Sequence, residues 1–169
     1  MNFRQLIYQN KNFKYLSLII LIFILSFKAN TEIPEKYKIE SSLPKCKGTD
    51  YKKWNDCYGE YKLPRIEYKG EWKDGEFHGK GILKEVWGDV YVGDFKNNIA
   101  EGFGRQDMYS PTSKYTGYFE GELKNDLLNG KGIWFIEDEV KLEGEFKDHL
   151  LDGYATAEYA SGDKYEGYW

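Results

Sequence analysis

A fourteen-residue stretch, Tyr68–Gly81 (YKGEWKDGEFHGKG), recurs down this chain, and recurrence at a fixed period constrains a fold more than any single residue does. With Tyr68 as position 1, that position returns as Tyr91, Phe119, Leu142 and Tyr165, at spacings of 23, 28, 23 and 23. Position 3 is always glycine: Gly70, Gly93, Gly121, Gly144 and Gly167. Position 5 is Trp72, Phe95, Leu123, Phe146 and Trp169. Position 12 is Gly79, Gly102, Gly130 and Gly153, and position 14 is Gly81, Gly104, Gly132 and Ala155.

Side chains alternate along a strand, so positions 1, 3 and 5 share one face of a strand and positions 12 and 14 share a face of the next. Positions 7 and 8 are Asp74-Gly75, Asn97-Asn98, Asn125-Asp126 and Asp148-His149. These residue types tolerate positive φ, which a two-residue hairpin turn demands. Such a turn pairs position 5 with 10, 3 with 12 and 1 with 14. Position 10 is Phe77, Ala100, Leu128 and Leu151, so apolar residues face the rings, and the glycines leave room for those rings to lie flat.

The opposite face reads as a charged ladder. Position 4 is Glu71, Asp94, Glu122 and Glu145; position 6 is Lys73, Lys96, Lys124 and Lys147. Acid and lysine can pair there, at about 0–1 kcal/mol for exposed partners. A solvated face is the first reading, and a docking surface for a cation or a basic partner is the alternative.

The copies run 68–90, 91–118, 119–141 and 142–164, with a partial copy at 165–169. Residues 46–67 form a cap and a half repeat, since Asn55–Gly59 parallels Phe77–Gly81. The expected architecture is all-β: an elongated single-layer antiparallel meander of stacked β-hairpins, preceded by an N-terminal hydrophobic helix. Its last strand leaves an edge open to self-association. The second copy carries five extra residues within Met108–Tyr118. A loop that departs from a regular scaffold is a place to look for binding, so Tyr109, Pro111, Tyr115 and Tyr118 form a candidate interaction loop; drift of a connection is the alternative.

Residues 1–29 contain an uncharged run, Leu16–Phe27, ended by Lys28. Twelve residues are too few to cross about 30 Å of hydrocarbon comfortably, and the run matches the apolar region of a secretory signal. An uncleaved anchor, associating with membrane through residues 16–27, and a helix of the fold are the alternatives. Residues 30–45, with Pro34 and Pro44, read as a polar linker. Export makes a disulfide the expected state of Cys46 and Cys57, the only cysteines, with two free thiols as the alternative. Trp54, inside the loop they would close, is placed to cover the end of the sheet.

The first thirty residues hold four basic groups and no acid, so residues 31–169 carry a formal charge of −8. An acidic body disfavours nucleic acid and anionic lipid, both of which need positive charge.

The Tyr68–Gly81 stretch resembles the MORN repeat, Y-x-G-x-W-x-x-G-x-x-H-G-x-G, through Tyr68, Gly70, Trp72, Gly75, His78, Gly79 and Gly81. The resemblance covers residues 57–169, and the segment Cys46–Gly59 is similar to the Cys-containing lead-in of some exported bacterial members. It implies a single-layer sheet of hairpins serving protein contact, dimerisation or scaffolding, with enzymatic activity carried on additional domains.

Catalysis is not expected, because no nucleophile–base set, metal-ligand cluster or phosphate loop is visible. His78 and His149, the only histidines, fall in repeat turn regions and read as structural. No cofactor is expected. The leading reading is a non-catalytic exported module that binds a protein partner through the sheet face or edge. The alternative is binding of envelope glycan or lipid by the aromatic-rich sheet.

Overall fold

The computed structural model describes residues 37–109 and 116–169. The expected hydrophobic helix, the secretory run and the linker before Tyr37 lie outside the described residues, as do Pro111 and Tyr115. The protein is all-β. Its strands are β1 (Cys57–Lys62), β2 (Ile66–Lys73), β3 (Glu76–Glu85), β4 (Val90–Lys96), β5 (Ile99–Met108), β6 (Gly117–Lys124), β7 (Leu127–Ile136), β8 (Val140–Lys147), β9 (Leu150–Tyr159) and β10 (Lys164–Tyr168). They form one open antiparallel sheet in chain order, so every connection joins neighbours. A 3₁₀ turn at Tyr51–Lys53 is the one helical element among the described residues.

The four expected turns form as the residue types require. Asp74 and Gly75 have φ of 51° and 75°, Asn97 and Asn98 51° and 66°, Asn125 and Asp126 54° and 62°, and Asp148 and His149 49° and 72°. Positive φ at both central residues matches the right-handed twist of the flanking strands. Next to each turn, position 5 faces position 10, as in Trp72 with Phe77 and Phe146 with Leu151.

Beyond that pair the register differs from the expected one. Position 3 faces 14, not 12: Gly70 lies opposite Gly81, Gly93 opposite Gly104, Gly121 opposite Gly132 and Gly144 opposite Ala155. Position 1 accordingly faces 16, as in Tyr68 with Leu83. The cause is a bulge at position 12, where Gly79, Gly102, Gly130 and Gly153 have φ of 54°, 97°, 85° and 129°. A bulge glycine in the left-handed region adds unpaired residues to one strand and slips the ladder.

The position-4 acid closes that bulge, which also corrects the expected pairing with position 6. The backbone N–H of Lys80 donates to Glu71 Oε2 (3.3 Å), that of Phe103 to Asp94 Oδ2 (3.3 Å) and that of Lys131 to Glu122 Oε1 (3.4 Å). Bulged amides left without ladder partners thus acquire side-chain acceptors.

The core lies on the aromatic face. The Tyr68 ring covers Gly70 and Gly81, stacks on Phe77 at 3.8 Å and meets Trp72 and Phe95 edge-on at 5.2 Å. Its hydroxyl donates to the Glu71 carbonyl at 2.9 Å. Tyr91 repeats the arrangement over Gly93 and Gly104, donating to the Asp94 carbonyl at 3.1 Å. Burial pushes both phenols well above the usual tyrosine range, so they remain donors.

Successive copies are joined by their turns. Asn98 accepts the Phe77 N–H through its side chain (2.8 Å) and donates its own N–H to the Phe77 carbonyl (3.0 Å). Asp126 does the same to Ala100, and His149 to Leu128 through Nδ1. At the first edge Cys46 and Cys57 form a disulfide, and Pro44–Cys46 pairs along β1 through Cys46 N–H to Tyr58 O (2.9 Å) and Tyr58 N–H to Pro44 O (2.8 Å). Trp54 is buried against Trp72, ring centres 5.0 Å apart, and covers that end of the core.

Candidate interaction surface

Among the residues of the candidate loop, Tyr109 and Tyr118 can be placed, and they do not converge on one site. Tyr109 is exposed, covers Gly88 and donates its N–H to Asp89 Oδ1 at 2.8 Å. Tyr118 belongs to β6, where the Arg105 guanidinium sits 3.7 Å above its ring. The repeat-signature residues Tyr68, Trp72, Tyr91, Phe95, Phe119 and Phe146 lie in the core. At the last strand, Tyr165 and Trp169 are about half exposed and meet edge-on at 5.3 Å.

The face read as a charged ladder is more varied. Side-chain parity places Ile82, Val90, Val92, Arg105, Tyr118 and Ile133 on it, beside the acids. Ile82 and Val90 are only 1% and 3% exposed, although neither belongs to the aromatic core cluster. Residues 37–43, expected as part of a polar linker over 30–45, run over this face as a strap. Ser41 Oγ donates to Glu71 Oε1 at 2.6 Å on β2, and Tyr37 donates to Asp107 on β5. Along the strap, Tyr37, Ile39, Ser41 and Leu43 are half-buried while Lys38, Glu40 and Ser42 are exposed, an alternation expected of an extended segment lying on a surface.

Tyr37, Lys38 and Ile39 line a trough of about 310 Å³ with Val92, Phe103 and Arg105. A second trough of about 510 Å³ shares Phe103 and Glu120 with it and continues to Ile133, Glu143, Glu145 and Tyr154. Phe103 is 57% and Tyr154 49% exposed. In the lining of the first trough Arg105 is fixed by Asp107 (2.8 Å) and Glu120 (3.0 Å). Burial works against its charge, but the hydrogen bonds to Glu120 and Asp107 and the negative charge of both carboxylates together raise its pKa.

The strap and the apolar positions of this face escaped the sequence reading. Position 13 reads Lys80, Phe103, Lys131 and Tyr154, so its rings alternate with lysines and no ladder stands out. An aromatic directly after the bulge glycine, as Phe103 after Gly102 and Tyr154 after Gly153, would have been the signal.

His78 lies opposite Glu71 in the first hairpin, and His149 occupies the fourth turn as a backbone acceptor, so the two serve separate structural places. Among the described residues no group of three or more His, Cys, Asp or Glu could hold a metal ion. None of their helices is long and apolar enough to cross a membrane.

Copied hairpins locked by a ring over two glycines, an acid on a bulge and a turn on its neighbour define a β-hairpin repeat module. The copies are MORN repeats: that family matches residues 68–90, 91–107, 119–135 and 143–164, and the chain belongs to it. Human Alsin is 30% identical over 100 residues, which is 57% of this chain and 6% of Alsin. Human ALS2 C-terminal-like protein is 27% identical over 118 residues, 70% of this chain and 12% of that protein. MORN repeat-containing protein 3 of Xenopus laevis is 34% identical over 79 residues, 44% and 32% of the respective chains. The chain thus spans at most about a third of the length of these relatives.

Proposed function

We propose that this chain is an exported, non-catalytic interaction module that binds a partner protein through the strap-bearing face of its sheet. The observation that carries this reading is the exposed Phe103 and Tyr154 on a face where acids and lysines surround them. Large apolar side chains rimmed by polar groups mark contact sites on soluble surfaces. Export is supported by the Leu16–Phe27 run together with the disulfide between the only two cysteines.

The glycan or lipid reading has less support. As read from the repeat, it needs the signature rings free to stack, and Tyr68 and Trp72 are 0% and 1% exposed beneath their neighbours. The acidic body also weighs against anionic lipid.

In-cell cross-linking followed by capture of the protein tests the interaction reading, with a chain lacking residues 91–164 as control. Partners retained by the full chain and lost from the control are expected; identical partner sets refute it. N-terminal sequencing of the mature protein tests export, with a start shortly after Ser26 or Ala29 as the expected result.

A further inference from the structure

We infer that the second trough takes an extended peptide segment of a partner protein, basic at its outward positions and apolar or aromatic at its inward ones. This rests on the interaction-module reading and names the partner chemistry of that same face.

The strap is the template. It shows that this face accepts an extended chain laid across the strands, with Tyr37 and Ile39 directed into the first trough. On the same face, Ile82 and Val90 are almost fully covered. The second trough continues the first without a break in its lining, through Phe103 and Glu120. It repeats the same construction two copies on, with Ile133 at the place of Ile82, yet Phe103 and Tyr154 remain about half exposed. The charge differs between the two halves. The rim of the second trough adds Glu143 and Glu145 against Lys131 to the shared Glu120, whereas Lys38, Lys80 and Arg105 line the first. Glu120 is held by Arg105 at 3.0 Å and Glu143 by Lys141 at 2.9 Å. An occupant whose outward side chains are lysine or arginine matches that rim, and an acidic one is repelled.

The probe is a labelled heptapeptide, Tyr-Lys-Ile-Lys-Ser-Lys-Leu, which is the strap sequence with lysine in place of Glu40 and Ser42. Its counterpart carries glutamate at all three outward positions. Titration of the full-length protein is expected to saturate at one lysine peptide per chain, with at least tenfold tighter binding than the glutamate peptide. The variant Phe103→Ser with Tyr154→Ser, and separately Glu143→Lys, are each expected to weaken binding at least tenfold. These side chains lie at the surface, so a folded variant remains available. Equal affinity for both peptides, or unchanged affinity in both variants, overturns the inference. So does absence of binding. Partner capture that survives in both variants overturns the trough alone and leaves the module reading standing.

Discussion

Asn98 holds Phe77 by two hydrogen bonds, accepting its N–H at 2.8 Å and donating to its carbonyl at 3.0 Å. A turn residue of one copy thereby serves as a strand partner for the copy before it. Asn98→Gly keeps the left-handed backbone that φ of 66° requires but removes the side-chain acceptor. The Phe77 N–H then loses its partner, and we expect a loss of about 1–3 kcal/mol by urea unfolding. Asn98→Asp should retain most of the stability, because Asp126 performs the same task for Ala100. Equal losses in both variants would show that the backbone conformation matters and the bond does not.

His149 makes the corresponding bond to Leu128 through Nδ1, which must be unprotonated to accept. Burial lowers its pKa, with Asp148 opposing. The unfolded chain therefore takes up this proton more readily than the folded one. The stability contribution is complete above the ordinary histidine value of about 6.5 and declines as pH falls from there through the lower folded value. His149→Asn replaces the imidazole with the acceptor used at Asn98, so its urea midpoint should fall less than the wild type's between pH 7.5 and pH 5. Parallel declines would sink this assignment.

The turn pairs, the two-residue hairpins and the ring–glycine face were legible because each rests on local chemistry repeated several times. Asn97-Asn98 and Asp148-His149 declare positive φ wherever they occur. The position-12 glycines were misread for a physical reason: a glycine inside an alternating pattern serves equally as a flat strand residue or a bulge, and only the partner strand decides. The acid at position 4 inherited that error, since its acceptor role exists only once the bulge frees an amide. The strap was illegible because its alternation lasts only from Tyr37 to Leu43, next to Pro34 and Pro44, and its partners lie on strands far along the chain.

Gly81 lies where the Tyr68 ring crosses the hairpin, and a Cβ there would press into that ring. Ala155 occupies the same position in the fourth copy at 1% exposure, where position 1 is Leu142 instead of an aromatic. The aromatic ring, and not the backbone alone, therefore demands glycine. Gly81→Ala should cost about 1–3 kcal/mol through overpacking. In a Tyr68→Leu background its additional cost should shrink by at least half, a coupling that a double-mutant cycle reads directly. Additive losses would place the requirement in the backbone.

The Cys46–Cys57 disulfide closes the cap and fastens Pro44–Cys46 along β1. In the chain-entropy model a loop of this length stabilises by about 3 kcal/mol. Each copy packs on its neighbours, so the effect of breaking the bond should stay near the cap. Hydrogen exchange of a Cys46→Ser, Cys57→Ser variant should show the Tyr58 and Gly75 amides, which donate to Pro44 and Trp54, exchanging about a hundredfold faster. The Leu128 amide, four strands further on than β3, should change little. Equal acceleration at Leu128 would show that the sheet opens as one unit and that the disulfide stabilises the whole array.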